Sequence, residues 1–240
     1  MRARRDKEDH VSQALVTGAN RGLGLEFTRQ LLARGEHVVA TCREPAAAAE
    51  LHALADVHSG YLLVLPLQLP DAESIGALVA ELAAVELEID LLINNAGVLP
   101  VGEHFGSIDA HVLAATFASN ASGPLLLTQA LAPRLAPRAR VVNLSSRLGS
   151  IAGTQRFGTP SYAISKAALN MAGRLLSFAL AERGISVVAL SPGWVRTDMG
   201  GDDATLTPVE SVAAMLGVID RLGPGDSGRF LGTDGQSIAW

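Results

Sequence analysis

Apolar residues along this chain alternate between short unbroken runs and longer stretches with helical periodicity. The short runs lack polar alternation, which is typical of strands that are buried on both faces. Strands are predicted at residues 14–17, 37–42, 61–65, 91–94, 140–144, 186–190 and 228–231. Helices are predicted at residues 23–34, 46–55, 71–85, 108–135, 162–183 and 208–221, with a break at Gly123-Pro124. Gly35 and Gly184 follow two of these helices, where glycine commonly ends a helix.

The order of these elements predicts the fold class. Because each strand is followed by a helix, we expect a parallel sheet with helices on both faces. The chain has 240 residues, 48% of them hydrophobic, which suits one large core rather than two small ones. The prediction is a single doubly wound α/β domain of about seven strands at residues 13–240, preceded by a flexible charged segment at 1–12.

Charge and composition exclude several classes of function. The formal net charge is −5 and no long basic run occurs, so we expect neither nucleic acid nor an anionic membrane as a partner. No apolar stretch is long enough to span a bilayer, and charged residues 6–10 follow the opening arginines where a signal peptide would be apolar. The single cysteine, Cys42, excludes an internal disulfide and a cysteine-based zinc cluster, and the histidines are scattered. These features predict a cytoplasmic protein without a metal site.

A glycine-rich segment joins the first predicted strand to the first helix. Glycine allows a sharp turn and close approach of the backbone to a bound group, and a helix N-terminus favours a pyrophosphate. The alternative is a glycine-rich turn without a ligand, which this position between strand and helix disfavours. The predicted dinucleotide-binding residues here are Gly18, Asn20, Arg21, Gly22, Leu23 and Gly24.

The end of the second strand indicates which dinucleotide binds. NAD-binding sheets place an acidic residue near this point to hold the ribose 2′-hydroxyl. Here the strand ends at Cys42-Arg43, and no acid occurs before Glu44. Arg43 and Arg21 together can clamp a 2′-phosphate, so we predict NADP(H). The alternative is that one arginine only faces solvent.

A tyrosine and a lysine four residues apart, Tyr162 and Lys166, provide the candidate acid–base chemistry. They share one face of a helix, and an ammonium beside a phenol stabilises the phenolate and lowers its pKa. Such a pair can exchange a proton near neutral pH. Taken alone, the same spacing is also common in helices for packing and solubility.

Taken together, these motifs resemble those of the short-chain dehydrogenase/reductase family. The matching residues fall in the family's order across nearly the whole chain: Thr17-Gly18-x-x-x-Gly22-x-Gly24, Asn94-Asn95-Ala96-Gly97, Asn120, Ser146, Tyr162-x-x-x-Lys166 and Pro192-Gly193-x-x-x-Thr197. Residues 145–152, 192–201 and the ending 227–240 are most similar to the carbonyl reductase branch of the sniffer and C-factor proteins. The resemblance implies a Rossmann-type fold.

The resemblance also implies roles for four catalytic residues. Tyr162 is expected to donate a proton in reduction and accept one in oxidation, and Lys166 to lower its pKa and bind the nicotinamide ribose. Ser146 is expected to hold the substrate carbonyl oxygen, and Asn120 to anchor a water that links Lys166 to solvent. Ser145 competes with Ser146, which is favoured because the family's serine usually precedes x-x-Gly. Asn120 as a helix cap, and both serines as partners of the backbone, are the alternatives.

Further cofactor contacts are implied at the ends of the other strands. The family often has an aspartate near the adenine after strand three, where this chain has an amide that can still bind an adenine edge. The residues implied at these positions are Gln68, Leu69, Asn94, Ala96, Gly97, Pro192, Gly193, Val195 and Thr197.

The expected function is NADPH-dependent reduction of a carbonyl to an alcohol. The short segment after Thr197 contains Gly200-Gly201 and no obvious clamp for a charged group, so we expect an open pocket for a small apolar aldehyde, ketone or quinone. The alternative is a signalling or regulatory protein, similar to C-factor, that binds the dinucleotide with little turnover. Relatives often dimerise through the helix carrying Tyr162, which implies a homodimer.

Overall fold

The structure, a computed structural model, describes residues 11–240, so most of the predicted flexible segment 1–12 lies outside the described residues. The strands are β1 Gln13–Thr17, β2 His37–Cys42, β3 Leu62–Pro66, β4 Ile89–Asn94, β5 Leu135–Leu144, β6 Ser186–Leu190 and β7 Phe230–Leu231. The helices are α1 Gly22–Ala33, α2 Ala49–Val57, α3 Ala72–Ala84, α4 Ala110–Phe117, α5 Gly123–Leu131, α6 Pro160–Ala179 and α7 Pro208–Arg221. Each predicted strand and helix is present, with shifted ends.

The strands form one parallel sheet in the order β3-β2-β1-β4-β5-β6-β7. The predicted Rossmann-type, doubly wound fold is therefore confirmed. The strand order reverses between β1 and β4, and in such sheets ligands bind in the crevice outside the carboxyl ends of the strands at that point.

Two apolar clusters hold the helices against the sheet. On one face, Phe27 and Leu31 of α1 pack with Met215 and Ile219 of α7 over the central strands. On the other face, residues of α3, α5 and α6 pack together, including Leu82, Leu127, Leu131 and Leu176. No helix within residues 11–240 has the length and apolar character needed to cross a membrane. The second cluster fixes α6, whose first turn carries Tyr162, against its face of the sheet.

The predicted helix at 108–135 is interrupted and shorter than expected. A π-helical turn, Ala118–Ser122, separates α4 from α5, and β5 begins at Leu135 rather than at 140. Pro124 has no N–H to offer the carbonyl four residues earlier, that of Asn120, so regular α-helical pairing is disfavoured there. Gly123 is needed beside it, because a Cβ at that position would lie 2.9 Å from the Cβ of Leu69. The predicted break therefore falls just before Gly123.

Candidate active site

A cavity of about 500 Å³ lies at the carboxyl edge of the sheet, at the β1/β4 reversal. Its volume is in the range of small-molecule and cofactor sites. The cavity is lined by the segments that follow β1, β2, β4, β5 and β6 and by the start of α6. Of the predicted site residues, it brings together Gly18, Asn20, Arg21, Gly22, Leu23, Arg43, Leu69, Ala96, Gly97, Tyr162, Lys166, Pro192 and Thr197.

The glycine segment forms a tight cradle at the N-terminus of α1. Gly18 and Gly22 have positive φ angles of 63° and 55°, which favour glycine. A Cβ on Gly24 would lie 2.3 Å from the carbonyl oxygen of Gly18, so no larger residue fits there. The side chain of Asn95 donates hydrogen bonds to the carbonyls of Thr17 (2.8 Å) and Gly18 (3.1 Å). This close-packed backbone and the free N–H groups of the helix suit a dinucleotide pyrophosphate.

The two arginines expected to recognise a 2′-phosphate both line this cavity. Arg43 follows β2 and is exposed. Arg21 instead reaches across the cavity, where its Nη1 lies 3.2 Å from a carboxylate oxygen of Asp198, and both side chains are exposed. The guanidinium of Arg21 is therefore paired in the free protein, which the sequence pattern did not indicate.

Tyr162 and Ser146 meet at the start of α6. The Tyr162 side chain is almost fully buried, and this burial raises the pKa of the phenol to about 12, while a hydrogen bond with the Ser146 hydroxyl lowers it. The expected lowering of the phenol's pKa by Lys166 stays a prediction. Desolvation disfavours the charged phenolate, and it outweighs the other influences on this phenol.

Lys166 lies one turn further along α6 and is 4% exposed. Its Nζ donates a 2.7 Å hydrogen bond to the carbonyl of Leu144 at the end of β5, and lies 5.5 Å from the centre of the Tyr162 ring. Burial lowers the pKa of the ammonium from 10.5 to about 8. At neutral pH the group is still mainly charged, so a positive charge lies beside the phenol.

The two neighbouring serines have different surroundings. Ser145 is buried, and its hydroxyl donates a 2.6 Å hydrogen bond to the Oδ1 of Asn170. The Ser146 hydroxyl faces Tyr162 and accepts a hydrogen bond from the N–H of Leu148 at 3.2 Å. Ser145 lines the cavity and Ser146 does not, but the hydroxyl of Ser145 is already bonded to Asn170, so the choice of Ser146 for contact with a substrate oxygen stays a prediction.

Asn120 lies in the π-helical turn and is fully buried. Its carboxamide accepts a hydrogen bond from the N–H of Val98 (2.8 Å) and donates to the carbonyl of Val98 (2.8 Å) and to the hydroxyl of Ser165 (3.0 Å). These bonds tie the segment after β4 to α6, beside Gly97. A water-anchoring role for Asn120 stays a prediction.

Some residues expected to contact the cofactor lie elsewhere. The side chain of Asn94 points into the core, where it donates to Asn143 (2.8 Å) and Thr128 (3.1 Å), so it links β4 to β5 and α5 and does not line the cavity. The reason is that successive side chains along a strand point to opposite faces of the sheet, so Asn94 points away from the face to which Asn95 points. Gln68 is exposed and also lies outside the cavity lining, as do Gly193 and Val195.

Two residues near the site were given no role by the sequence. The Thr17 hydroxyl accepts hydrogen bonds from the N–H groups of Asn95 and Ala96, both at 3.0 Å, and so joins β1 to the segment after β4. Glu103 accepts hydrogen bonds from the N–H (3.2 Å) and hydroxyl of Ser161, and so caps α6 from a distant loop. Thr17 belonged to the glycine motif and was recognisable, whereas no local pattern marks Glu103.

The chain is similar to several known proteins. A family model described as short chain dehydrogenase matches residues 12–205. C-signal of Myxococcus xanthus is 48% identical over 154 residues, covering 63% of this chain and 93% of that protein. The structure of carbonyl reductase Sniffer of D. melanogaster is 36% identical, with a TM-score of 0.92, and covers 96% of this chain and 100% of that one. The NADPH-bound carbonyl reductase from chicken fatty liver is 40% identical, with a TM-score of 0.90, and covers 97% and 100%.

Proposed function

Because the chain belongs to the short-chain dehydrogenase family, with its nearest similarity to the carbonyl reductase branch, we propose that it is an NADPH-dependent carbonyl reductase. It reduces an aldehyde, ketone or quinone to an alcohol, with Tyr162 as the general acid. The observation that carries this proposal is the protonated Tyr162 phenol, which lines the cavity beside the buried Lys166 ammonium and interacts with the hydroxyl of Ser146.

The proton donor is supported by the protonation states at neutral pH. With a pKa of about 12, the phenol of Tyr162 holds its proton until a substrate oxygen gains negative charge. The charged Lys166 then stabilises the phenolate left behind. Its Nζ lies 5.5 Å from the centre of the ring, and charges at such a distance interact strongly in a buried site of low dielectric constant. We expect the hydroxyl of Ser146 to donate to the same developing oxyanion.

The glycine segment at the start of α1 fits a dinucleotide. Its backbone is packed so closely that a Cβ at Gly24 has no room, as expected where a pyrophosphate meets a helix N-terminus. The pyrophosphate would lie at the N-terminus of α1, and the 2′-phosphate between Arg43 and Arg21. When bound, NADPH supplies the hydride. The NADPH in the carbonyl reductase from chicken fatty liver supports this choice of cofactor.

The test is NADPH oxidation, followed by absorbance, over a panel of aldehydes, ketones and quinones. We expect turnover that Tyr162→Phe abolishes, while that variant still binds NADPH. Ser146→Ala is expected to lose most activity and Ser145→Ala much less. Full activity of Tyr162→Phe would refute the general acid, and an apparent Michaelis constant for NADH equal to or below that for NADPH would refute the cofactor preference.

A second candidate function is supported by the 48% identity to C-signal. In this alternative the protein is a signalling or regulatory component that binds the dinucleotide with little turnover. The complete set Asn120, Ser146, Tyr162 and Lys166 favours an enzyme, since binding alone does not need a proton donor. Saturable NADPH binding without turnover on any member of the panel would favour the alternative.

A homodimer is proposed from the outer face of α6. Ile164, Met171, Leu175 and Phe178 are 50–65% exposed there, which is unusual for four large apolar residues on one helix. A second copy of the chain would cover them. Analytical ultracentrifugation should show a dimer that Leu175→Glu dissociates, and a wild-type monomer at all concentrations would refute this assembly.

A further inference from the structure

Asn170 lies on the same face of α6 as Tyr162 and Lys166. It follows Lys166 by four residues, as Lys166 follows Tyr162, so the three side chains form one row along the helix. Asn170 is 2% exposed and does not line the cavity. It therefore acts on the site only through the residues that it contacts.

The carboxamide of Asn170 binds the segment after β5 at two points. Its Oδ1 accepts the hydroxyl of Ser145 at 2.6 Å, and its Nδ2 donates to the carbonyl of Gly149 at 3.2 Å. Both bonds are buried, where each is stronger than in water and leaving a partner unsatisfied is costly. The segment between the two points contains Ser146.

Other contacts leave this segment little freedom. The N–H of Ser145 donates to the carbonyl of Leu190 in β6 at 2.9 Å, and the N–H of Gly149 donates to the carbonyl of Ser146 at 2.8 Å. Gly149 also packs directly on α6, where a Cβ would lie 2.8 Å from the backbone carbon of Lys166. Asn170 thus joins the turn that presents Ser146 to the helix that presents Tyr162.

We infer that Asn170 is a positioning residue that holds Ser146 in hydrogen-bonding contact with Tyr162. This inference rests on the proposed function for its catalytic consequence, whereas the interaction of Ser146 with the phenol can be tested in the free protein. Loss of the carboxamide removes the two side-chain bonds at residues 145 and 149 while the backbone contacts remain, so Ser146 is displaced slightly from the phenol. Small displacements of this kind cost large factors in rate because catalytic groups must be aligned.

The contact between Ser146 and Tyr162 can be measured without cofactor or substrate. The chain has two tyrosines, Tyr61 and Tyr162, so 3-fluorotyrosine labelling gives two 19F signals, which Tyr61→Phe assigns. We expect Asn170→Ala to shift the Tyr162 signal in the same direction as Ser146→Ala does. An unchanged Tyr162 signal in folded Asn170→Ala would overturn the inference.

Two further variants separate positioning from general stability. Asn170→Ser replaces the carboxamide with a small neutral hydroxyl, so it provides a second variant should Asn170→Ala fail to fold. Thr128→Val is the matched control, because Thr128 is also buried and makes two hydrogen bonds, to Asn94 (3.1 Å) and Pro124 (2.7 Å), away from the cavity. It should lower the melting temperature and leave the Tyr162 signal unmoved.

The kinetic arm uses a double-mutant cycle. Asn170→Ala should lower kcat about tenfold to a hundredfold, with the NADPH dissociation constant within about twofold of wild type. In the Ser146→Ala background the same substitution should have no further effect on kcat. Additive losses would overturn the inference. If the wild type turns over no carbonyl, the proposed function fails, and the 19F signal still decides the role of Asn170.

Discussion

The burial of Lys166 leads to a prediction about stability. An ammonium that is 4% exposed and has one hydrogen bond in the structure, to the carbonyl of Leu144, is unfavourable for the folded state at neutral pH. Lys166→Met removes the charge and keeps a side chain of similar length. We therefore expect this variant to unfold less readily than the wild type at pH 7, although it loses activity.

The magnitude follows from the pKa of the ammonium. Its fall from 10.5 to about 8 corresponds to about 3 kcal/mol, at ~1.36 kcal/mol for each pKa unit. Part of this gain is offset, because the carbonyl of Leu144 loses a donor, which costs about 1–3 kcal/mol. The net stabilisation expected for Lys166→Met at pH 7 is therefore about 1 kcal/mol.

The stabilisation by Lys166→Met should depend on pH with a defined sign. Between pH 8 and 10.5 the unfolded chain binds a proton at this lysine that the folded protein does not, so wild-type stability rises with pH across that interval. Lys166→Met lacks this rise. The difference in free energy of unfolding, variant minus wild type, should fall by about 2 kcal/mol between pH 7 and pH 10. Measurements stop at pH 10, the ordinary pKa of a phenol. Above it the unfolded chain loses the proton of Tyr162 that the folded protein keeps, which also changes the stability.

Urea unfolding at a series of pH values measures this difference, with Lys166→Arg as the control that keeps its charge at every pH. The pKa itself can be measured by NMR of 13C-labelled lysine, since the chain has two lysines, at positions 7 and 166. A Lys166→Met variant whose stability differs from that of the wild type by the same amount at pH 7 and pH 10 would refute the reasoning.

Three further substitutions test other contacts of the site. Gly149→Ala places a Cβ 2.8 Å from the backbone of Lys166, so it should destabilise the protein by about 1–3 kcal/mol in urea unfolding and lower kcat, and normal activity would contradict this close packing. Glu103→Gln weakens the cap of α6 and should lower the free energy of unfolding by about 1 kcal/mol; unchanged thermal unfolding would exclude that cap. Asp198→Asn releases Arg21 and should tighten NADPH binding at low salt by up to about fivefold, the equivalent of ~1 kcal/mol. NADH binding should not change. Equal changes for both cofactors would show that the Arg21–Asp198 pair does not compete with the 2′-phosphate.

The main features of the fold were predictable because they depend on local patterns. Apolar runs marked the strands, and the glycine segment after β1 marked the dinucleotide-binding edge. The start of β5 at Leu135 was not predictable, since residues 132–139 contain two prolines and no alternation typical of a strand. Leu135 pairs with Ile89 of β4 across the sheet, and the register then shifts before Arg140 pairs with Leu91, with a positive φ of 66° at Arg138. The strand therefore starts early because of this tertiary pairing and not because of local preference.

The candidate site was predictable only where the spacing of a motif along the sequence determines how its side chains are arranged. Tyr162 and Lys166 share a face because four residues make about one helical turn. The capping of α6 by Glu103 joins residues 58 positions apart, and the pairing of Arg21 with Asp198 joins residues 177 apart. No periodicity relates such positions, so these contacts follow only from the packed fold.

Burial also changes how the Tyr162–Lys166 pair acts. In water an adjacent ammonium would lower the pKa of a phenol, but here both groups are desolvated, and the two pKa values move to about 12 for the phenol and about 8 for the ammonium. At pH 7 the proton stays on Tyr162, and removing it would cost about 7 kcal/mol at ~1.36 kcal/mol per pKa unit. The free protein therefore holds its proton where reduction of a carbonyl needs a donor. Oxidation of an alcohol would require a phenol that has already lost this proton.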